Sequence, residues 1–277
     1  MNDCILYYEV QGEGPDLVFI HGEDHGIEQF DDQVARFSRD HRCLRYYRRG
    51  HGKSGSPLFG YSVWNQTLDL RGLLDHLSIR KPAIVALGLG NPVAVSFALR
   101  YPDRVRALAL VSWYELDGYP LMEERRRPVH RMPFSDLHLK MYEVRCTQGR
   151  VGLLRFIEQQ ADVLFPIFPL QPELRSRMAR MVASHPPGHY IQAVEHYSSI
   201  PNLVPEMARI ACPILGICGT ADPSPDRPAL LERNANFSQV WIEGARRFSQ
   251  MERPDEFNRV LAAFLDALPT GISDRAT

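Results

Sequence analysis

Residues 83–105 read AIVALGLGNPVAVSFALRYPDRV, and this stretch decides the fold. An apolar run at 83–86 leads into Gly88-Leu89-Gly90, and a helical pattern of apolar residues follows at 91–101. An apolar run with little polar alternation is typical of a strand that is covered on both faces, and closely spaced glycines are typical of a tight turn. The stretch therefore predicts a buried strand, a sharp turn and a helix.

Apolar runs and helical patterns also alternate on both sides of this stretch. Further apolar runs lie at 16–20, 42–46, 107–111, 213–218 and 240–242, and helical patterns lie at 64–77 and 254–268. Strands that alternate with helices predict an α/β fold with a doubly wound, mostly parallel sheet. Such sheets place their functional sites at the carboxyl ends of the strands.

The alternation of strand and helix patterns stops between residues 117 and 207, where no strand-like run occurs. Helical patterns at 151–160 and 172–184 alternate with proline-rich links at Phe165-Pro166 and Pro186-Pro187-Gly188. We interpret 117–207 as a helical cap inserted into an α/β core formed by 1–116 and 208–270. Residues 271–277 are expected to form a flexible tail.

Composition excludes several classes of protein. The chain has 277 residues with 32 basic and 33 acidic side chains, so it lacks the basic excess of a nucleic-acid-binding protein. No apolar stretch approaches the roughly 20 residues that span a bilayer. Residues 1–6, MNDCIL, do not form a basic region followed by an apolar one, so we do not expect export. Five scattered cysteines indicate reduced thiols and a cytoplasmic location. The oligomeric state, monomer or homodimer, stays open.

Sequence landmarks occur in a characteristic order. They are His21-Gly22, the segment RRGHGKS at 48–54, the turn 86–90 with ALRYPDRV at 98–105, GTAD at 219–222, GARRF at 244–248 and ERPDEF at 252–257. In this order and spacing the chain resembles the α/β-hydrolase superfamily, in particular the small capped esterases, epoxide hydrolases and carbon–carbon hydrolases. The resemblance implies an α/β-hydrolase fold with an inserted helical cap.

The resemblance also implies the positions of a catalytic triad, and two of its three positions are altered. The nucleophile belongs twelve residues before Arg100, where this chain has Gly88, and the catalytic histidine position holds Arg247. Glycine has no side chain that could form an acyl-enzyme, and a guanidinium stays protonated and cannot act as a general base. The acid alone is retained, as Asp222. The sequence also differs from the family pattern just before Arg48, where it has Tyr47 and family members often carry aspartate.

Other groups around the missing nucleophile could still support chemistry. The resemblance implies an oxyanion hole formed by the backbone N–H groups of Glu23 and Leu89, which needs no serine. Polar side chains expected nearby are those of Asp24, His25, Asn91, Tyr114 and Glu115.

Each candidate has a functional and a structural interpretation. Asp222 and Arg247 form either a base beside a cation or an ion pair that props two loops. His25, and with less support Asp24, is either a relocated acid or base or a solvated loop residue. Tyr114 and Glu115 either contribute a relocated acid or lie in a surface turn. His21 is expected to brace its loop.

A metal site is not expected. His185 and His189 flank Pro-Pro-Gly, and a rigid loop there would not offer the helical pair of imidazoles found in zinc sites. No cofactor is expected either.

Three functions follow from these observations. The first is a non-hydrolytic lyase, cyclase or isomerase that acts on an apolar small molecule with a carbonyl group, in a setting such as natural-product biosynthesis. The second is a non-catalytic binder or sensor of a small molecule. The third is a hydrolase with relocated catalytic residues.

Overall fold

A seven-stranded sheet organises the chain. The computed structural model describes residues 3–113, 116–118, 133–164, 169, 171–223 and 234–269. The strand order is β1-β3-β2-β4-β5-β6-β7, and β1 alone runs antiparallel to its neighbour, β3. The predicted doubly wound, mostly parallel sheet is confirmed.

The strands are β1 (Tyr8–Gln11), β2 (Asp16–Ile20), β3 (Arg42–Tyr46), β4 (Ala83–Leu87), β5 (Ala107–Val111), β6 (Ile214–Gly219) and β7 (Phe237–Ile242). Every residue of β4, β5 and β6 is buried, as expected of central parallel strands. The sequence did not predict β1, because its residues include Glu9 and Gln11 and half of them are exposed at the sheet edge.

Helices cover both faces of the sheet. One face packs against α1 (Asp31–Phe37) and, near the C-terminus, against α7 (Ser249–Glu252) and α8 (Pro254–Asp266). The other face packs against α2 (Val63–His76) and α3 (Asn91–Arg100). Alternate residues of each strand point into the two apolar cores, so the sheet is a buried layer between two layers of helices.

In the described residues between β5 and β6, where the sequence predicts a cap, the structure has three α-helices. They are α4 (Phe134–Leu164), α5 (Pro172–Ser184) and α6 (Pro187–Ser198). Helix α4 consists of two helical segments joined at Gly149, whose φ is 70°. Buried residues of α4 and α5, among them Leu137, Met141 and Met178, belong to the same apolar core as α1 and α8. The cap boundaries 117–207 stay a prediction, and the predicted tail lies outside the described residues.

The interpretation of 186–188 as a link is wrong. Pro187 occupies the first turn of α6, where a proline is tolerated because its missing N–H would have no helical partner. His189 and His196 are consequently helical residues, two turns apart and on the same face. None of the helices in the described part of the chain combines the length and apolarity that a membrane crossing requires.

Candidate active site

The turn after β4 has the geometry of a nucleophile elbow without a nucleophile. Gly88 follows the last residue of β4 with a φ of +51°, and α3 begins three residues later. A Cβ on Gly90 would lie 2.7 Å from the carbonyl oxygen of Ile20, so the turn needs glycine there. A Cβ on Gly88 would meet no atom closer than the Cα of Gly22, at 4.0 Å. Space for a side chain therefore exists at the apex, and none fills it.

The other two positions predicted for the triad, Asp222 and Arg247, face each other as an ion pair. Arg247 Nε lies 3.4 Å from Asp222 Oδ2, and both side chains are almost completely buried. The hydroxyl of Ser112 donates to the carbonyl oxygen of Arg247 at 2.7 Å, which fixes the backbone there. Glu252 Oε1 accepts hydrogen bonds from two backbone N–H groups of the same loop, those of residues 246 and 248. This loop is therefore held in place by polar contacts on both sides of Arg247.

His21 braces the loop that follows β2. Its Nδ1–H donates to the carbonyl oxygen of Gly22 at 2.7 Å, and its Nε2 accepts from the backbone N–H of Arg48 at 3.0 Å. Burial and the nearby charges of His51 and Arg48 hold the pKa of His21 well below its ordinary value. A neutral His21 thus connects the loops after β2 and β3.

Glu23 points into the protein and meets groups from two other parts of the chain, the loop after β3 and α6. Oε2 accepts from Arg48 Nη2 at 2.8 Å and from His196 Nδ1–H at 2.6 Å, and Oε1 lies 3.1 Å from His51 Nε2. Burial alone would raise the pKa of Glu23, but Arg48 and the two imidazoles outweigh it, so its pKa lies well below the usual range. Glu23 is consequently a buried carboxylate, a role that the sequence did not predict.

Asp24 adopts a left-handed backbone conformation with φ at 60° and is buried. His138 of α4 donates from Nε2 to Asp24 Oδ2 at 2.9 Å, and His189 of α6 donates from Nε2 to Oδ1 at 3.0 Å. Burial would raise the pKa of Asp24, but His138 and then His189 lower it far below the ordinary value. A carboxylate of the predicted oxyanion loop therefore binds two helices of the predicted cap.

His25 is buried and not a solvated loop residue, which corrects that alternative. Its Nδ1–H donates to the carbonyl oxygen of Glu23, and its ring centroid lies 5.0 Å from that of Phe248. Phe248 follows Arg247 directly, so His25 lies between the loop after β2 and the loop that carries the altered histidine position. Burial lowers the pKa of His25, against the opposing charge of Asp24.

The remaining candidates have separate positions. Asn91 is buried at the start of α3, and its Nδ2 donates to the carbonyl oxygen of Val111 at 3.0 Å, which connects α3 to the end of β5. Leu89 is buried in the turn between β4 and α3. Tyr114 and Glu115 lie outside the described residues.

A second group of polar residues lies under the predicted cap, and we call it the histidine–carboxylate cluster. Its members are Glu23, Asp24, Arg48, His51, His138, His189 and His196, all of them buried. The ring centroids of His51 and His189 are 4.4 Å apart, and both rings also contact His185. Seven histidines of the described residues are buried, which is unusual for a titratable side chain.

The sequence analysis missed most of this cluster. His51 was treated as part of a turn motif, His138 and His196 were not considered, and His189 was assigned to a rigid loop. Because α6 is a helix, that argument against a metal site no longer holds. The available signal was the spacing of His189 and His196, seven residues apart, which places two imidazoles on one helix face.

The fold agrees with the comparisons with known proteins. The family model for the alpha/beta hydrolase fold matches residues 15–254. The chain belongs to the α/β-hydrolase fold family. Its relatives include enzymes.

Two relatives cover nearly the whole chain. A candidate 2-succinyl-6-hydroxy-2,4-cyclohexadiene-1-carboxylate synthase from Bacillus subtilis is 29% identical and covers 94% of this chain and 95% of the relative. A 3-oxoadipate enol-lactonase from Acinetobacter baylyi is 24% identical and covers 95% of this chain and 94% of the relative. Among solved structures, MenH from S. aureus has a TM-score of 0.75 at 20% identity, with coverage of 94% and 98%, and supports the fold.

Proposed function

We propose that this α/β-hydrolase-fold protein is a non-hydrolytic enzyme of lyase, cyclase or isomerase type. Its substrate would be a largely apolar small molecule with a carbonyl or enol oxygen. The observation that carries the proposal is the elbow apex, where Gly88 keeps a φ of +51° and an open space but offers no nucleophile. Covalent acyl transfer is then lost, whereas binding and charge stabilisation at the same place are retained.

The proposed reaction needs an oxyanion site and a proton carrier. The backbone N–H groups of Glu23 and Leu89 would bind the substrate oxygen, as the family's oxyanion hole does. A base would remove a proton from the carbon beside the carbonyl, and the electrons of the broken C–H bond would move to that oxygen. Return of the proton at another carbon completes an isomerisation, and loss of a β-leaving group completes an elimination.

Among the candidates, His25 suits the role of proton carrier better than Asp222. Asp222 faces the permanent cation of Arg247, which stabilises the carboxylate and makes it a weaker base. His25 lies in the same loop as Glu23, packed against Phe248. Arg247 would then supply positive charge beside the developing oxyanion.

The relatives support an enzyme that acts on a small carbonyl or enol compound. One is named as a candidate synthase of a cyclohexadiene carboxylate and another as an enol-lactonase, and both names imply small carbonyl or enol compounds. A setting in biosynthesis is part of the same proposal.

A second candidate, a non-catalytic binder, is favoured by one observation. Asp222 and Arg247 neutralise each other in a buried pair, which would hold two loops in place without any proton transfer. Turnover of a substrate that falls sharply in Asp222→Asn would contradict the binder.

Deuterium exchange separates the two candidates without knowledge of the natural substrate. The protein is incubated in D₂O with a panel of small 2-oxo and 3-oxo carboxylic acids and cyclic ketones, and loss of the α-proton signals is followed by NMR. The enzyme is expected to accelerate exchange in at least one compound, with the rate lost in His25→Ala. His76→Ala is the matched control, because His76 is an exposed histidine at the end of α2. Binding by protein-detected NMR without exchange in any compound would support the binder and contradict the enzyme.

A further inference from the structure

Three side chains of the histidine–carboxylate cluster have the arrangement of metal ligands. Glu23 follows β2, His51 follows β3 and His189 lies on α6, so three separate parts of the chain converge on one point. One carboxylate oxygen and one ring nitrogen from each histidine lie within 4.8 Å of one another. The residues are 8%, 2% and 1% exposed, respectively.

We propose that Glu23, His51 and His189 bind a divalent first-row transition-metal ion between the core and the predicted cap. The proposal goes beyond the reaction suggested above, and it stands whether or not His25 transfers a proton.

The contact between His51 and Glu23 is suited to a cation, either a proton or a metal ion, between the two side chains. His51 Nδ1–H donates to the carbonyl oxygen of Arg49 at 3.0 Å, so a neutral ring has its lone pair on Nε2. That lone pair lies 3.1 Å from Glu23 Oε1, which is also an acceptor. A second proton on His51 or a metal ion bound by both atoms removes this repulsion, and the approach of His189 to the same point favours the metal ion.

Arg48 does not resolve the conflict. Its Nη2 lies 3.4 Å from His51 Nε2, but it also lies 2.8 Å from Glu23 Oε2 and 3.0 Å from the carbonyl oxygen of Gly22. The two hydrogens on Nη2 serve these two shorter contacts, and none remains for the imidazole.

Hydrogen bonds behind the three ligands match those of known metal sites. A metal-bound histidine usually donates its other N–H to a carbonyl oxygen or a carboxylate, which fixes its tautomer. His51 does so to Arg49, and His189 does so from Nε2 to Asp24 Oδ1 at 3.0 Å. Glu23 Oε2 is held by Arg48 and by His196, which leaves Oε1 for a metal.

The charge of the site also favours a cation. Glu23 and Asp24 are two buried carboxyl groups, and Arg48, which contacts Glu23, offsets one of the two charges. A divalent ion with a bound hydroxide or an anionic ligand would neutralise the remainder.

The ligand set indicates the type of ion. Two imidazoles and one carboxylate suit Zn²⁺ or Fe²⁺, and Mg²⁺ and Ca²⁺ prefer oxygen ligands. Metal–ligand bonds of about 2.0–2.2 Å place two ligand atoms of a tetrahedral site about 3.4 Å apart, which is close to the 3.1 Å between His51 Nε2 and Glu23 Oε1. Three protein ligands leave at least one position open for water or a substrate oxygen.

Metal binding by untagged full-length protein tests the proposal. Apo-protein is prepared with a chelator and titrated with Zn²⁺, and with Fe²⁺ and Co²⁺ under anaerobic conditions, and bound metal is measured after equilibrium dialysis. We expect one equivalent of Zn²⁺ or Fe²⁺. The affinity should fall more than 100-fold in His51→Ala and in His189→Ala, should fall about 10- to 100-fold in Asp24→Asn, and should be unchanged in the control His76→Ala.

The visible spectrum of the Co²⁺ form of the wild-type protein gives an independent readout. Nitrogen ligation should change this spectrum from that of aqueous Co²⁺, and this result needs no variant that could unfold. Failure of the wild-type protein to bind any of these ions above the level of a non-specific surface site would overturn the proposal. Binding that His51→Ala and His189→Ala leave intact, as judged on variants with wild-type circular dichroism, would overturn it as well.

Discussion

The predicted triad positions and the histidine–carboxylate cluster both lie at the carboxyl ends of the strands, and they differ in the side chains that they contain. At the triad positions, Gly88 has no side chain and Asp222 is paired with Arg247. In the cluster, Glu23 and Asp24 each hold two imidazoles from other parts of the chain. Buried ionisable groups are therefore concentrated between the predicted oxyanion loop and the predicted cap, whereas the apex of the elbow carries no side chain. The contrast shows that the fold alone does not decide which strand ends carry the polar groups.

Restoring the triad should produce the largest effect. In Gly88→Ser/Arg247→His, the new serine has space at the apex and the new histidine lies beside Asp222. We expect esterase activity toward p-nitrophenyl acetate to increase by on the order of 10³-fold over the wild-type background, because a complete triad contributes roughly 10⁶. Gly88→Ala/Arg247→His is the control and should show no gain. Equal activity of the two variants would mean that the apex is not the nucleophile position.

Breaking the cluster should cost the most stability. Glu23→Ala leaves Arg48 buried without its carboxylate, so we expect a loss of about 3–5 kcal/mol in the free energy of unfolding. Urea denaturation followed by tryptophan fluorescence measures it. Glu143→Ala, which removes an exposed partner of Lys140, should change stability by less than ~0.5 kcal/mol. A similar small loss in Glu23→Ala would show that the cluster is not held together by Glu23.

Disrupting the triad-position pair should cost less. Asp222→Asn keeps the shape of the side chain and an acceptor for Arg247, across a contact that is already long at 3.4 Å. We expect a loss of about 1–2 kcal/mol in the same urea experiment. A loss equal to that of Glu23→Ala would mean that the pair is the main support of its two loops, which favours its structural interpretation.

The smallest expected effect is on the pH dependence of stability, through Glu252, which accepts hydrogen bonds from the backbone on both sides of Arg247. Burial raises the pKa of Glu252, against its hydrogen bonds from the backbone at 246 and 248. Its folded-state pKa therefore lies above the unfolded value, and its contribution to stability is present below the unfolded pKa and lost as the pH rises through the folded pKa. Glu252→Gln should lose less stability than the wild-type protein between pH 4 and pH 7 in urea titrations. A steeper loss in the variant would contradict the direction of the shift.

The sequence predicted the sheet because its strands are buried on both faces and read as apolar runs. The sequence did not predict the edge strand β1, which is not an apolar run, or the helix α1, which is too short to form a clear periodic pattern. Helix α6 was missed because a Pro-Pro-Gly segment was interpreted as a link, although a proline in the first turn is compatible with a helix.

Only those residues of the candidate site that lie at a fixed spacing from the family's sequence landmarks could be predicted. Counting along the chain identified Gly88, Asp222 and Arg247, and the structure places Asp222 and Arg247 in contact. The cluster depends on long-range contacts: His51, His138 and His189 come from three separate segments, and their approach to Glu23 and Asp24 follows from the packing of α4 and α6 over the strand ends. A single sequence does not encode such contacts as a local pattern.

Intact-mass spectrometry of the wild-type protein tests the central claim most directly. The protein is incubated with an excess of a fluorophosphonate and, separately, with p-nitrophenyl acetate under burst conditions. An unchanged mass and the absence of a burst are predicted, because Gly88 leaves the elbow without a group that could be phosphonylated or acylated. A stoichiometric adduct on a serine, threonine or cysteine of the site would contradict the account, since the chain would then carry a nucleophile elsewhere.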